Sequence, residues 1–257
     1  MSIDVLTPFR LDGRVAVITG ASSGLGERFT RVLHGAGATV VIGARRTDRL
    51  QALADELGDA IVPVTCDVTD DASCEAFLTA ALEAGGGRID VLVNNAGVSA
   101  PGPAEHETVA DFRRVVDVNL NSIFVLSQLF GRVMIAQGSG SIVNIASVLG
   151  LVAAAPLKQA SYCASKGGVV NLTRELGAQW ARKGLRVNAI APGWFPSEMT
   201  EEMFDDEGSM SFLKRNCPMA RGGEPHELDG VLLFLASDAS SYVTGQTIAV
   251  DGGWIAR

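Results

Sequence analysis

The sequence predicts an α/β protein: a single doubly wound domain, residues 1–257, built on a seven-stranded parallel sheet with helices on both faces. Three observations carry that expectation. Seven short runs rich in β-branched residues recur along the chain, helical stretches separate them, and no linker, low-complexity tract or composition break divides it. With 47% hydrophobic and 19% charged residues, one buried core is well supplied.

The runs are VAVIT (15–19), TVVIG (39–43), AIVPVTC (60–66), IDVLVN (89–94), SIVNIA (141–146), LRVNAIA (185–191) and TIAV (247–250). Several are apolar throughout instead of alternating, as in strands covered on both faces. Between the first two, Phe29, Val32, Leu33 and Ala36 fall at i, i+3, i+4 and i+7, with Gly35 and Gly37 as a stop, which makes one βαβ unit. Such sheets bind ligands at the carboxyl ends of their strands, where the strand order reverses, so the residues just after each strand hold the interest.

Composition excludes several functions. With 29 acids, 21 bases and a net charge of −8, the charges mostly interspersed, there is no basic face for nucleic acid. Cys66, Cys74, Cys163 and Cys217 lack metal-binding or redox spacing, and His34, His106 and His226 form no cluster. No metal site is expected, and free thiols suit a reducing cytoplasm. MSIDVLTPFR lacks a basic start followed by an apolar core, and the most apolar stretch, VLGLVAAAP, falls far short of the ~20 residues that span a bilayer. A soluble, cytoplasmic protein without membrane contact is expected.

TGASSGLG (19–26) admits two chemistries. Gly20-Ala21-Ser22-Ser23-Gly24 fits the nucleophile elbow of a serine hydrolase with Ser22 as nucleophile, but such a serine sits mid-sheet, whereas Ser22 follows the first strand; His226 is a conceivable base, yet nothing near it singles out an acid. Alternatively, the strand runs into a helix starting near Gly24, whose exposed N–H groups and positive dipole end face a pyrophosphate. In that reading Gly20 permits the tight turn, Gly24 admits the ligand to the backbone, and Gly26 lets the helix lie close on the sheet. Ser22 and Ser23 add hydroxyls, and Leu25 belongs to the same cofactor loop. No lysine follows, which removes a nucleotide triphosphatase loop.

The second strand ends Ile42-Gly43-Ala44-Arg45-Arg46, with no acid for a ribose 2′-hydroxyl. Arg45 is placed for a 2′-phosphate, favouring NADP over NAD; the alternative is a solvated basic helix start shared by Arg46 and Arg49. In SYCASKGGVV, Tyr162 and Lys166 are four apart and share one helix face. A free phenol has a pKa of ~10. A neighbouring ammonium and an oxidised nicotinamide would favour the phenolate, letting Tyr162 take an alcohol proton or return one to a ketone. Ser147, at the end of SIVNIA, offers a hydroxyl to a substrate oxygen, and Asn119 lies in VDVNLNS, in the helical segment between the fourth and fifth strands.

Together these residues resemble the short-chain dehydrogenases/reductases, of the short cytosolic kind with one Rossmann domain, over essentially the whole length. The resemblance rests on TGASSGLG, CDV (66–68), NNAG (94–97), Asn119, Ser147, YCASK (162–166), PG (192–193) and GQTIAVDGG (245–253). It implies Tyr162 as acid/base, Lys166 tuning it and bonding the nicotinamide ribose, Ser147 orienting the substrate oxygen, and Asn119 holding a water that relays protons to Lys166. It further implies that Asp67 meets the adenine amino group with Val68 beside the ring, that Asn95 lines the cofactor cleft, and that the turn after Pro192-Gly193 faces the carboxamide.

Three departures stand out. The fifteen positions from Ser147 to Tyr162 are slightly more than usual, so LGLVAAAPLKQAS is expected to reshape one wall of the substrate site; Ser197 stands where many members have threonine; and Ser23 stands where NADP users often carry a basic residue. The implied activity is hydride transfer between NADP, with NAD possible, and a secondary alcohol or ketone, near the β-ketoacyl reductases and the sugar-acid or polyol dehydrogenases. A dinucleotide-binding sensor or scaffold without turnover is the alternative class.

Such sheets assemble as symmetric dimers or tetramers, and a homotetramer is expected here through the Tyr162 helix, with Val169, Val170, Leu172 and Leu176, and the closing TIAVDGGWIAR. Residues 194–219 are expected to form a substrate lid. Its acids Glu201, Glu202, Asp205, Asp206 and Glu207 read either as a solvated helix face or as a ring around the entrance that repels anions.

Overall fold

All seven runs become strands: β1 (Val15–Thr19), β2 (Thr39–Ala44), β3 (Ile61–Thr65), β4 (Val91–Asn94), β5 (Gly140–Ile145), β6 (Leu185–Pro192) and β7 (Thr247–Val250). In this computed structural model, which describes residues 4–256, they pair in parallel in the order β3-β2-β1-β4-β5-β6-β7. Met1–Ile3 and Arg257, counted in the expected domain, lie outside the described residues. The helices between the strands are α1 (Gly24–Gly35), α2 (Thr47–Leu57), α3 (Asp71–Ala84), α4 (Val109–Val116), α5 (Ser122–Gln137), α6 (Ala160–Trp180), α7 (Glu201–Asp205), α8 (Glu207–Asn216) and α9 (Asp229–Ala236).

Successive strand residues feed opposite layers, which is why several of the runs are apolar without alternation. Ala16 and Ile18 of β1 join Phe29 and Leu33 of α1 and Leu232 and Leu235 of α9 on one face. Val15 and Val17 meet Phe77 of α3, Phe130 of α5 and Leu176 of α6 on the other. Each of the valine, leucine, isoleucine and phenylalanine side chains contributes roughly 1.5–3 kcal/mol on burial. Pro63 is tolerated because β3 is an edge strand, bonded only to β2.

Three expectations are corrected. The fourth strand starts at Val91 instead of Ile89, and the buried Asp90 carboxylate just before it accepts the Val15 N–H at 2.9 Å and pairs with Arg14 and Arg88. Val169, Val170 and Leu176 are buried inside the chain and offer no contact face to a partner. Against the expectation that no stretch has membrane-spanning length, the helical segment 109–137 is 29 residues long and contains an 18-residue window of mean hydropathy 1.3, enough to cross a bilayer by length and composition alone. Its apolarity serves the core: Ile123, Leu126, Phe130 and Met134 are all buried. A wider, π-type turn at Asp117–Asn121 joins its two halves.

Between β1 and β4 the strand order reverses, since β1 leads to β2 on one side and β4 leads to β5 on the other. The carboxyl ends of these strands open into a cleft of about 1010 Å³.

Candidate active site

One wall of the cleft is the loop after β1. Gly20 turns at φ +67°, and a Cβ on Gly26 would lie 2.2 Å from the Gly20 carbonyl oxygen, so the start of α1 touches the loop in a way only glycine allows. Asn95, just past β4, donates its amide to the carbonyls of Thr19 (2.9 Å) and Gly20 (3.1 Å), bracing the loop across the switch point. No side chain caps the amino end of α1, a state it shares with α2, α6 and α9, so its first N–H groups are left open toward the cleft. A close-packed, uncapped helix end is the cradle that a dinucleotide's pyrophosphate requires. The chain's own residues therefore fit such a cofactor.

Every residue expected to touch the cofactor lines this cleft: Gly20, Ser22, Ser23, Gly24, Leu25 and Gly26 at the loop, and Arg45, Asp67, Val68, Asn95, Pro192, Gly193 and Ser197 at the strand ends, with Tyr162 and Lys166 on α6. Asp67 is held below the usual carboxylate range, chiefly by the Thr69 N–H (3.0 Å) and also by the Thr69 hydroxyl (2.7 Å). Ser197 pairs with the Thr200 hydroxyl at 3.0 Å and lies over Gly24. Arg46, which the sequence left as surface charge, reaches back instead: its Nε donates to the Ser22 hydroxyl at 3.1 Å and its Nη2 to the Ser23 hydroxyl at 2.7 Å. The positive charge missing at Ser23 is thus supplied from the end of β2. Ser22 has a guanidinium, not an imidazole, as its partner, which removes the hydrolase reading.

At the other end Tyr162, Ser147 and Lys166 converge. Lys166, buried at 3% exposure, donates to the Ile145 carbonyl at 2.7 Å, with its Nζ 5.7 Å from the centre of the Tyr162 ring. Burial pulls its pKa down to about 8. Burial also pushes the Tyr162 phenol above its ordinary value, and the hydrogen bond with Ser147 only partly offsets this. Burial is thus the largest influence on the phenol, while the Lys166 ammonium is held by the Ile145 carbonyl.

Asn119 does not line the cleft. Fully buried, it exchanges hydrogen bonds with Val98, accepting from the N–H and donating to the carbonyl at 2.8 Å each, and donates its other N–H to Ser165 at 3.1 Å. Both amide protons are committed, so the side chain has none for a relay water. Ser165, whose hydroxyl donates to the Tyr162 carbonyl at 2.8 Å, was missed as a site residue, although it lies inside YCASK. Arg113, Arg114, Asp117 and Val118 also line the cleft, where no strand-end rule would place them.

Residues 194–219 fold over a cluster of aromatic rings, Trp194 edge-on to Trp254 at 5.4 Å and Phe212 6.0 Å from Trp254. The five acids at 201–207 are exposed and none lines the cleft, which favours the solvated-face reading. A different carboxylate, Glu198, does line it.

A family model described as enoyl-(acyl carrier protein) reductase matches residues 20–255. Galactitol 2-dehydrogenase (L-tagatose-forming) of Cereibacter sphaeroides is 43% identical over 254 residues, 98% of this chain and 99% of that protein. The crystal structure of a short-chain type dehydrogenase/reductase from Mycobacterium marinum superposes with a TM-score of 0.93 at 36% identity, covering 99% of this chain and 100% of the other. This chain belongs to the short-chain dehydrogenase/reductase family. Another relative, a gluconate 5-dehydrogenase from Burkholderia cenocepacia J2315 crystallised with NADP and tartrate, is 39% identical with a TM-score of 0.92, covering 99% of this chain and 100% of that one. As a short-chain dehydrogenase/reductase, the protein is an oxidoreductase, and the resemblance drawn from its motifs is confirmed at the level of the family.

Proposed function

We propose that the protein is an NADP-preferring oxidoreductase that interconverts a secondary alcohol and a ketone, with polyols and sugar-derived ketones as its substrate class. The observation that carries this reading is the convergence of Tyr162, Ser147 and Lys166 at the end of β5, in the cleft that also holds the phosphate cradle. Galactitol 2-dehydrogenase and the NADP complex of the gluconate 5-dehydrogenase support the substrate and cofactor classes.

When bound, the nicotinamide dinucleotide supplies the site that accepts or gives up the hydride. The rest is done by the chain. The Ser147 hydroxyl polarises and orients the substrate oxygen, and the Tyr162 hydroxyl gives a proton to that oxygen or takes one from it. Lys166, with its Nζ 5.7 Å from the centre of the Tyr162 ring, would bond the cofactor ribose and hold positive charge near the phenol. Asn119 is a positioning residue: through Val98 it fixes the loop after β4, and through Ser165 it fixes the turn of α6 that carries Tyr162. Arg45 and Arg46 favour the 2′-phosphate.

A spectrophotometric screen of NADP and NAD against alcohols and ketones tests this reading. Turnover on polyols or ketoses, with kcat/KM at least about tenfold higher for NADP, is the expected result, since one charge-assisted hydrogen bond is worth ~1.5–3 kcal/mol. Equal use of both cofactors would remove the preference; binding without turnover on any substrate would favour the sensor.

Homotetrameric assembly in the cytoplasm completes the proposal. Its contact face is moved by the burial of Val169, Val170 and Leu176 to the exposed apolar residues Val109 and Phe112 of α4 and Phe124 of α5. Light scattering should give four times the chain mass of 26.9 kDa, and a monomer mass would overturn it.

A further inference from the structure

Glu198 follows β6 by six residues, yet its carboxylate lies across the cleft against the ends of β1 and β2. Oε2 accepts from the Ser23 hydroxyl (2.9 Å) and from Arg46 Nη2 (2.9 Å), while Oε1 accepts from Arg46 Nη1 (3.1 Å) and from Arg49. A carboxylate gripped bidentately by one guanidinium, with a second guanidinium and a hydroxyl completing the shell, occupies the donor set that a phosphate monoester would seek. Those bonds pull the Glu198 pKa down to about 2, the Arg46 contact acting most, so the group is an anion at any physiological pH.

We propose that Glu198 is a resident anion of the 2′-phosphate locus, which NADP must displace and NAD need not. The inference rests on the NADP reading above and assigns a specificity role to a residue outside the expected set. Two like charges cannot share one guanidinium fork without repulsion. While Glu198 holds Arg46, Arg49 and Ser23, an incoming 2′-phosphate meets Arg45, whose charge also acts on Asp67, and faces a fixed carboxylate beside it. The carboxylate therefore lowers the affinity for NADP selectively.

The test is titration of the full-length protein with NADPH, NADH and adenosine 2′,5′-bisphosphate, followed by nicotinamide fluorescence or calorimetry, for wild type, Glu198→Gln and Glu198→Ala. Glu198 is solvent-exposed, so both variants are expected to fold. Exposed ion pairs are each worth a few-fold in affinity, so loss of two should tighten NADPH and the bisphosphate by about fivefold or more, with NADH changed less than about twofold. Equal changes for NADPH and NADH, no change for either, or weaker NADPH binding in the variants would each overturn the inference. Wild-type protein that binds none of the three would instead defeat the NADP reading itself, a result that the variants are not needed to recognise.

Discussion

Replacing Tyr162 by phenylalanine should lower kcat/KM by about 10²–10⁴-fold, the range over which a positioned acid or base contributes, while leaving NADPH affinity within about twofold. The substitution removes one oxygen and keeps the ring in its half-buried seat above Lys166. Because burial raises the phenol, the hydroxyl is protonated at neutral pH and ready to donate in ketone reduction. Alcohol oxidation needs the phenolate, so its rate should climb with pH in the wild type, and the variant should lose that dependence. Rates with a panel of ketones and alcohols, taken across pH, provide the measurement. Equally slow turnover in wild type and variant would place the protein among dinucleotide sensors.

Lys166→Met should give a protein that is more stable below neutral pH and catalytically impaired. Burial lowers the folded-state pKa to about 8 from the ordinary 10.5, so the unfolded chain binds the proton more tightly than the native one. The penalty for keeping the ammonium buried is fully present below about 8 and disappears as the pH rises through 10.5. That gap corresponds to ~3 kcal/mol. Loss of the bond to the Ile145 carbonyl returns ~1 kcal/mol of it, leaving a net gain of roughly 2 kcal/mol at pH 6–7. Thermal unfolding of both proteins between about pH 6 and 10.5 should show the gain shrinking with pH. A variant less stable than wild type by the same amount throughout would mean that the lysine's bond, and not its charge, dominates. A gain would mark Lys166 as a group retained for chemistry at the expense of the fold.

The parts of this molecule that were legible in the sequence are local. VAVIT running into TGASSGLG announces a strand, a glycine turn and a helix within twelve residues, and all three form where expected. Tyr162 and Lys166 share a face because α6 spans both. What sequence reading missed depends on long-range contact. Glu198 meets Arg46 across 152 positions, and no pattern near either residue announces it. Asn119 could be read as a polar group in an apolar helix, but its commitment to Val98 and Ser165 appears only once the loop after β4 and α6 are brought together. Val169 and Val170 look alike as core or as interface from spacing alone, and burial decides for the core.

The wide turn at Asp117–Asn121 shifts the helical phase between α4 and α5, so that the two halves answer to different constraints. Downstream, seven residues of α5 are buried and each must suit its neighbours. Upstream only Val115 is buried, while Ala110, Arg113 and Arg114 look into the cleft. Mutations at Ala110, Arg113 and Arg114 can therefore accumulate over evolutionary time with little loss of stability, and the lineage gains a stretch of cleft wall on which selection for new ligands can act while the interior stays unchanged.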